Sequence, residues 1–221
     1  MKKNILLVTL SCLVVLIMVG LANAQGLLVY ETSFEEDAIG VTPAGWQSAP
    51  FATSAVVVDS SEIPAADGQK VVRLTNDPSS YGEFFLDTED IYHGKLVVQF
   101  YQISSPRENI NIEIRNQRSR LAGAYITQSG NVRARDNGVT TGNLINLPVE
   151  NWHIFVMEWN VAEQWFKISY VENGQENLIT QAQLDATQSG EPGNRIYINI
   201  SPRDEEKVAY IDNVRIYDLG K

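Results

Sequence analysis

Few side chains in this 221-residue chain could do covalent chemistry: two histidines, His93 and His153, and a single cysteine, Cys12. Tyr92-His93-Gly94 has the composition of a turn, and His153 follows Trp152 into a strand that is apolar on both faces. Both histidines are therefore expected in structural roles. No Gly-x-Ser-x-Gly elbow is present, and two histidines leave a serine nucleophile little choice of base. Glu158, within Val156-Met157-Glu158-Trp159-Asn160, reads as a strand-end residue with a satisfied partner, so no catalytic residue is expected. Binding chemistry has more material. Carbohydrate recognition uses aromatic rings beside amides and charged groups. Gln99, Tyr101, Glu113, Arg115, Tyr125, Tyr197 and Asn199 form such a ligand-binding set if their strands share one sheet face. An ordinary solvated face would carry the same residues. Of the four tryptophans, Trp152 and Trp165 fall in the most hydrophobic hairpin and are expected in the core, and Trp46 follows a Pro-Ala-Gly turn as framework.

The elements that would position these groups are strands. Short runs from Ala55 to Tyr217 alternate with period two or are continuously apolar, bounded by Gly, Asn, Asp or Pro. Between Asn109 and Arg115 three isoleucines share a face and leave Asn111, Glu113 and Arg115 on the other. Arg195, Tyr197 and Asn199 oppose Ile196, Ile198 and Ile200 in the same way. Lys95 to Ser104 sets Leu96, Val98 and Phe100 against Val97, Gln99, Tyr101 and Ile103. Asp136-Asn137-Gly138 and Asn173-Gly174 supply turn residues that tolerate positive φ. Past the N-terminus only Leu178 to Thr187 suggests a helical turn or two. Many short strands without interleaved helices predict an all-β fold, a two-sheet antiparallel β-sandwich.

Alternation places Asp212 with Val208, Tyr210, Val214 and Ile216, where an isolated carboxylate is costly. Two arrangements would satisfy it. One is a structural Ca²⁺ that joins the terminal strands, with Glu35 and Asp37 as further oxygen ligands. The other is a set of backbone N–H donors at a bulge.

Lys+Arg 17 against Asp+Glu 27 gives a net charge of -10. Lys2 and Lys3 precede an uncharged stretch from Ile5 to Leu21 and then Ala22-Asn23-Ala24, so residues 1–24 read as a cleaved signal peptide; an uncleaved anchor is the alternative. Removing them takes away both lysines and Cys12 and leaves 197 residues, with 15 basic and 27 acidic side chains and a net charge of -12. That length suits one domain, residues 25–221, which has no disulfide or cysteine-based zinc site. The acidic field argues against nucleic acid and against a membrane surface as partners. The clusters Arg115, Arg118, Arg120 and Arg133, Arg135 read as solvated strand and loop positions. The expected location is secreted, periplasmic or cell-surface, in a bacterium, with the oligomeric state open.

Ser33-Phe34-Glu35-Glu36-Asp37, Gly40 and Pro43-Ala44-Gly45-Trp46 near the start, with Val208 to Tyr217 and its Ile211-Asp212-Asn213-Val214 near the end, resemble secreted bacterial jelly-roll domains. The family is the concanavalin A-like lectin/glucanase superfamily, including laminin G-like modules. Asn151-Trp152-His153-Ile154, followed by Gln164 to Tyr170 and Asn173-Gly174-Gln175, is similar to that family's Gly-x-Trp-His hairpin, with Glu150 standing at its Gly. The resemblance spans the chain beyond the leader and implies a jelly roll. Similar carbohydrate-binding modules place a calcium between their first and last strands, which favours the metal reading of Asp212. Activity is not implied, because the fold hosts lectins, hydrolases, lyases and spacers. The glucanase Glu-x-Asp-x-x-Glu motif is absent, with Asn160 where its Asp would stand, and neither histidine lies in a clustered lyase-like strand motif. The expected function is an exported, non-catalytic domain that binds carbohydrate or another cell-surface polymer. A polysaccharide-degrading glycoside hydrolase or lyase is the alternative, and a structural or adhesive spacer the second.

Overall fold

The computed structural model describes residues 26–49, 54–76, 80–103, 109–117, 119–201 and 207–220; the expected leader lies outside them. The strands, in chain order, are β1 (Leu27–Thr32), β2 (Trp46–Ala49), β3 (Ala55–Asp59), β4 (Lys70–Thr75), β5 (Gly82–Ile91), β6 (His93–Gln102), β7 (Ile110–Asn116) and β8 (Ser119–Ile126). They continue with β9 (Asn131–Asp136), β10 (Val139–Thr140), β11 (Ile145–Asn146), β12 (Trp152–Asn160), β13 (Trp165–Glu172), β14 (Gln175–Gln183), β15 (Gly193–Ile200) and β16 (Val208–Asp218). All pair antiparallel in two sheets. Sheet I runs β14-β13-β12-β6-β16-β4-β3 with β1 also on β16, and sheet II runs β10-β9-β8-β7-β15-β5-β2 with β11 on β9. The chain is a two-sheet antiparallel β-sandwich, as its alternation predicts.

Period two supplies the core. Ile110, Ile112 and Ile114 of β7 and Ile196, Ile198 and Ile200 of β15 are buried in one apolar cluster with Leu96, Val98 and Phe100 of β6 and Phe155 and Met157 of β12. Trp159 is fully buried there, its Nε1 donating to the Ile91 carbonyl at 3.1 Å. Two glycines make its room: a Cβ on Gly193 would lie 3.0 Å from Trp159 Nε1, and one on Gly94 would overlap the indole. Trp46 stacks on Phe84 at 4.0 Å and donates to the Tyr30 hydroxyl at 2.8 Å, a framework role. Glu150 takes φ +61°, the region glycine enters at no steric cost, consistent with Gly at that place in similar hairpins.

Strand order corrects several expectations. β6 belongs to sheet I, whereas β7 and β15 belong to sheet II. The stretch from Leu178 is strand β14, closed on β13 by the Asn173-Gly174 turn with φ +53° and +75°, and a single 3-10 turn, Ala186–Gln188, follows. Trp165 is half-exposed at a strand end, where its Nε1 donates to Glu163 at 2.6 Å and the Lys167 ammonium sits 4.2 Å from its ring. His153 does pack as expected, against Phe100 and with its ring Nε2 2.6 Å from the Pro148 carbonyl; burial lowers its pKa.

β16 is the spine of sheet I. β6 lines one edge; the other is shared by β4, against Val208–Ile211, and β1, against Val214–Asp218. At the changeover the register with β6 shifts between Asp212 and Arg215, and Asn213 takes φ +42°. The bulge inverts the alternation, so Ala209 and Ile211 face the core before it and Val214 and Ile216 after it. Asp212 therefore does not share a face with Val214 and Ile216. Tyr210 joins a second apolar cluster with Val56, Val58, Ile63 and Val71, against which Tyr101 and Trp152 pack.

Gly94→Ala is expected to lower the stability in denaturant titration by about 1–3 kcal/mol through overpacking against Trp159. Gly142→Ala, whose added methyl meets nothing within 4 Å, should change it by less than about 0.5 kcal/mol.

Candidate functional site

The outward side chains of sheet II form a groove of about 330 Å³. Register sets three cross-strand rows: Glu83–Asn199–Asn111–Tyr125, Phe85–Tyr197–Glu113–Gly123 and Asp87–Arg195–Arg115–Arg120. Glu113 lies at the centre and is only 1% exposed. Arg115 Nε donates to its Oε2 at 2.6 Å and Arg120 Nε to its Oε1 at 2.7 Å. The Nη2 groups of the same arginines lie alongside at 2.5 and 2.6 Å. Such charge-assisted, two-point contacts fix the plane of each guanidinium. Gly123 stands opposite Glu113, where a Cβ would press on Arg120 Cδ at 3.0 Å, so glycine is the local condition for the double clamp.

The surrounding groups are ordered by the same clamp. The Arg115 guanidinium carbon sits 3.5 Å from the Tyr197 ring centroid and covers that face. Burial pushes the Tyr197 hydroxyl above the ordinary tyrosine range, a hydrogen bond to Glu83 adds to this, and Arg115 opposes it; the hydroxyl stays protonated and donates to Glu83. Asn111 Nδ2 donates to Asn199 Oδ1 at 2.7 Å, while Asn111 Oδ1 is buried without a donor, an uncommon state for an interior polar atom. The more open rings are Tyr81, 48% exposed, and the half-buried Tyr125, which Arg120 approaches at 5.8 Å.

Five of the seven residues expected to bind ligand meet in this groove: Glu113, Arg115, Tyr125, Tyr197 and Asn199. Gln99 and Tyr101 lie on sheet I instead. Gln99 Oε1 accepts from Asn213 Nδ2 at 3.2 Å, and Tyr101 packs on Trp152 and Tyr210, with ring centroids 5.6 and 6.3 Å away. Trp152 Nε1 donates to the Pro64 carbonyl at 2.7 Å, so the segment between β3 and β4 crosses this part of sheet I. Alternation had assigned these two residues a face but could not assign a sheet. Conversely, Tyr81, Glu83, Asn111 and Arg120 line the groove without having been singled out as ligands. Glu83 was legible, since it alternates with buried Phe84; Arg120 was concealed by a register shift at Ile114/Arg115. His93 and Glu158 pair on sheet I at 3.3 Å, and Lys167 lies 3.9 Å from the same carboxylate.

No protein-family model and no curated relative matches the sequence. Solved structures do match its shape. The catalytic domain of a glycoside hydrolase family 131 protein from Coprinopsis cinerea superposes with a TM-score of 0.64 at 13% identity, over 86% of this chain and 94% of that one. Peanut lectin gives 0.56 at 10% identity, over 85% and 95%. A sialidase gives 0.61 at 13% identity over 79% of this chain, which spans only 17% of the sialidase's length. The fold is a concanavalin A-like jelly roll. Lectins and glycoside hydrolases share it, so the fold alone does not divide binding from hydrolysis.

In this jelly roll the carboxylates expected to hold calcium are occupied by N–H donors. Asp212 is fully buried; its Oδ2 accepts from the backbone N–H of Ala66 at 3.1 Å and Asp67 at 3.2 Å, and its Oδ1 from Asn213 at 2.7 Å. Glu35 Oε1 accepts from Gln69 and Lys70 at 2.8 and 2.7 Å, and Asp37 Oδ1 from Ala44 at 2.8 Å. The Lys70 ammonium donates to the backbone carbonyls of Glu35 and Asp37. Donor hydrogens point where a cation would need bare oxygen, so this arrangement does not fit a calcium cage. Among the described residues no three His, Cys, Asp or Glu side chains converge on a metal position. Asp212 instead follows the second arrangement, N–H donors at a bulge.

Burial raises the Asp212 pKa from 3.8 to about 6 despite those three donors, with Asp67 adding to the rise. A carboxyl whose pKa is higher folded than unfolded stabilises most below the unfolded value and loses that contribution as pH rises through the folded one. Wild type should therefore lose about 2 kcal/mol relative to Asp212→Asn between pH 4 and pH 7, measured as the pH dependence of the difference in denaturation free energy. Asp212→Ala strands two N–H groups from the loop and should cost about 2–4 kcal/mol. EDTA is expected to leave the thermal midpoint unmoved.

Proposed function

We propose that this jelly roll is an exported, non-catalytic binding domain that takes a glycan or another cell-surface polymer in the groove of sheet II. The double clamp on Glu113 carries the reading. It holds two guanidinium groups in fixed planes beside amides and open tyrosine rings, so little ordering remains to be done when a polar ligand arrives. It also occupies both Glu113 oxygens, leaving neither to protonate a leaving group or activate water, whereas glycoside hydrolysis needs two working carboxylates. Export is supported by the leader-like residues 1–24.

Polysaccharide cleavage is the second reading, favoured by the likeness to a glycoside hydrolase catalytic domain over nearly its whole length. Glu83 would then be the reacting carboxylate, since it is the one in the groove without an arginine clamp.

A glycan array probed with the folded protein should show binding. Tyr125→Ala should weaken it about tenfold, equivalent to about 1.4 kcal/mol, with the unfolding midpoint little changed. Retention of full affinity by both Tyr125→Ala and Tyr81→Ala would place the ligand elsewhere. Incubation of the bound glycan should release no new ends; release that Glu83→Gln abolishes would establish the second reading instead.

A further inference from the structure

Given that the groove of sheet II is the ligand site, we propose that its ligand is an acidic glycan, held through uronate carboxylates by the arginines of this face. The chain carries a net charge of -10, yet five of its ten arginines project from adjoining strands of sheet II: Arg115, Arg120, Arg133, Arg135 and Arg195. Three carboxylates share the rows, Glu83, Asp87 and Glu113. Asp87 is taken by Arg195 at 2.6 and 3.0 Å, and Glu113 is shared by two arginines. Glu83 accepts from the Tyr197 hydroxyl.

The three rows balance three arginines against three carboxylates, Asp185 also acts electrostatically on Arg120, and the surplus cation lies at the β9 edge of the groove, where Arg133 stands beside Tyr125. Arg133 donates its Nε to the neutral Asn143 at 2.7 Å, and Arg135 Nε is buried without an acceptor. Arg115 and Arg120 use Nε and Nη2 on Glu113; neither Nη1 has a hydrogen-bond partner among the described residues. Acidic Glu89 and Asp90 fall in the β5–β15 register break and, with Asp87 and Asp218, line the neighbouring pocket rather than the groove. The outer face of sheet I shows no such surplus: Lys95 is paired with Glu176 at 2.8 Å and Lys167 approaches Glu158. A guanidinium presents parallel donors that match a carboxylate, and a uronate adds pyranose hydroxyls for the Asn111–Asn199 pair and a ring face for Tyr125.

The test is calorimetric titration of the protein with an oligogalacturonate and with the same oligomer after carboxyl reduction, each at 50 and 200 mM salt. The acid form should bind at least tenfold more tightly than the reduced form, and its affinity should fall several-fold with salt. Arg120→Gln should weaken it further, but that change strips a buried carboxylate of one partner and can unfold the sheet. Arg133→Gln, on the rim, keeps the fold and should weaken only the acid form. Equal affinity for both forms without salt dependence overturns the acidic preference and leaves the groove as the site. Failure of the acid form to bind, alongside neutral glycans that bind in a Tyr125-dependent way, does the same. Absence of any Tyr125-dependent binding removes the groove itself.

Discussion

A buried carboxylate is stable only with full compensation, and Glu113 obtains it from two guanidinium groups on adjacent strands. The rest of the groove is arranged by that requirement. Arg120 can cross β8 because residue 123 is glycine, and the register shift at Ile114/Arg115 brings Arg115 and Arg120 level. Arg115, once fixed, lies over Tyr197, and Tyr197 in turn reaches Glu83. The sheet beneath contributes nothing polar: its inward face is isoleucine from β7 and β15. One buried charge thus converts a flat sheet into a surface with fixed donors.

Sheet I solves the same problem differently and is covered at the end where Asp212 lies, while a groove of about 420 Å³ lined by Lys95, Val97, Glu158 and Glu176 stays open at its other end. Asp212 is as buried as Glu113 but is met by backbone N–H groups from Ala66, Asp67 and Asn213, not by cations. Its carboxylate ties the segment between β3 and β4 to the bulge of β16, and that segment brings Ile63 and Pro64 over Tyr101, Trp152 and Tyr210. Charge compensation by arginine leaves donors to spare; compensation by backbone leaves none. In the open groove of sheet I the lysines and carboxylates pair with one another, Lys95 with Glu176 and Lys167 near Glu158, whereas sheet II keeps arginine donors to spare.

The sequence made the fold legible because period-two alternation is a local property. β3, β4 and β9 fall where their apolar runs predict, and Asn137-Gly138 and Asn173-Gly174 make positive-φ turns as expected, but the strands that follow them, β10 and β14, are not legible as apolar alternation. Three things were not local. Gln99 and Tyr101 alternate correctly, yet β6 lies in the other sheet, and nothing within a strand reports its neighbours. Unbroken alternation puts Asp212 with Val214 and Ile216, but a bulge at the next residue, Asn213, reverses the period, and the loop partners of Asp212 lie about 145 residues away in sequence. Arg120 resembled a solvated cation because its carboxylate is on the preceding strand across a shifted register. The five expected residues that line the groove lie on β7 and β15, where isoleucines alternate with polar residues, and on the part of β8 beyond its register shift. Trp165 misled through composition, since a hydrophobic hairpin still has an end exposed to solvent.

The proposed binding site gathers its ligand contacts around the Glu113 clamp. The most direct measurement is an NMR titration of the labelled protein with a binding oligosaccharide, following backbone amides and the arginine Nε–H resonances. The largest perturbations are expected at Gly123, Tyr125 and Asn199 and at the Nε–H groups of Arg115 and Arg120, with sheet I unchanged. Perturbations confined to β6, β12 and β13, with both clamp arginines still, would contradict this placement.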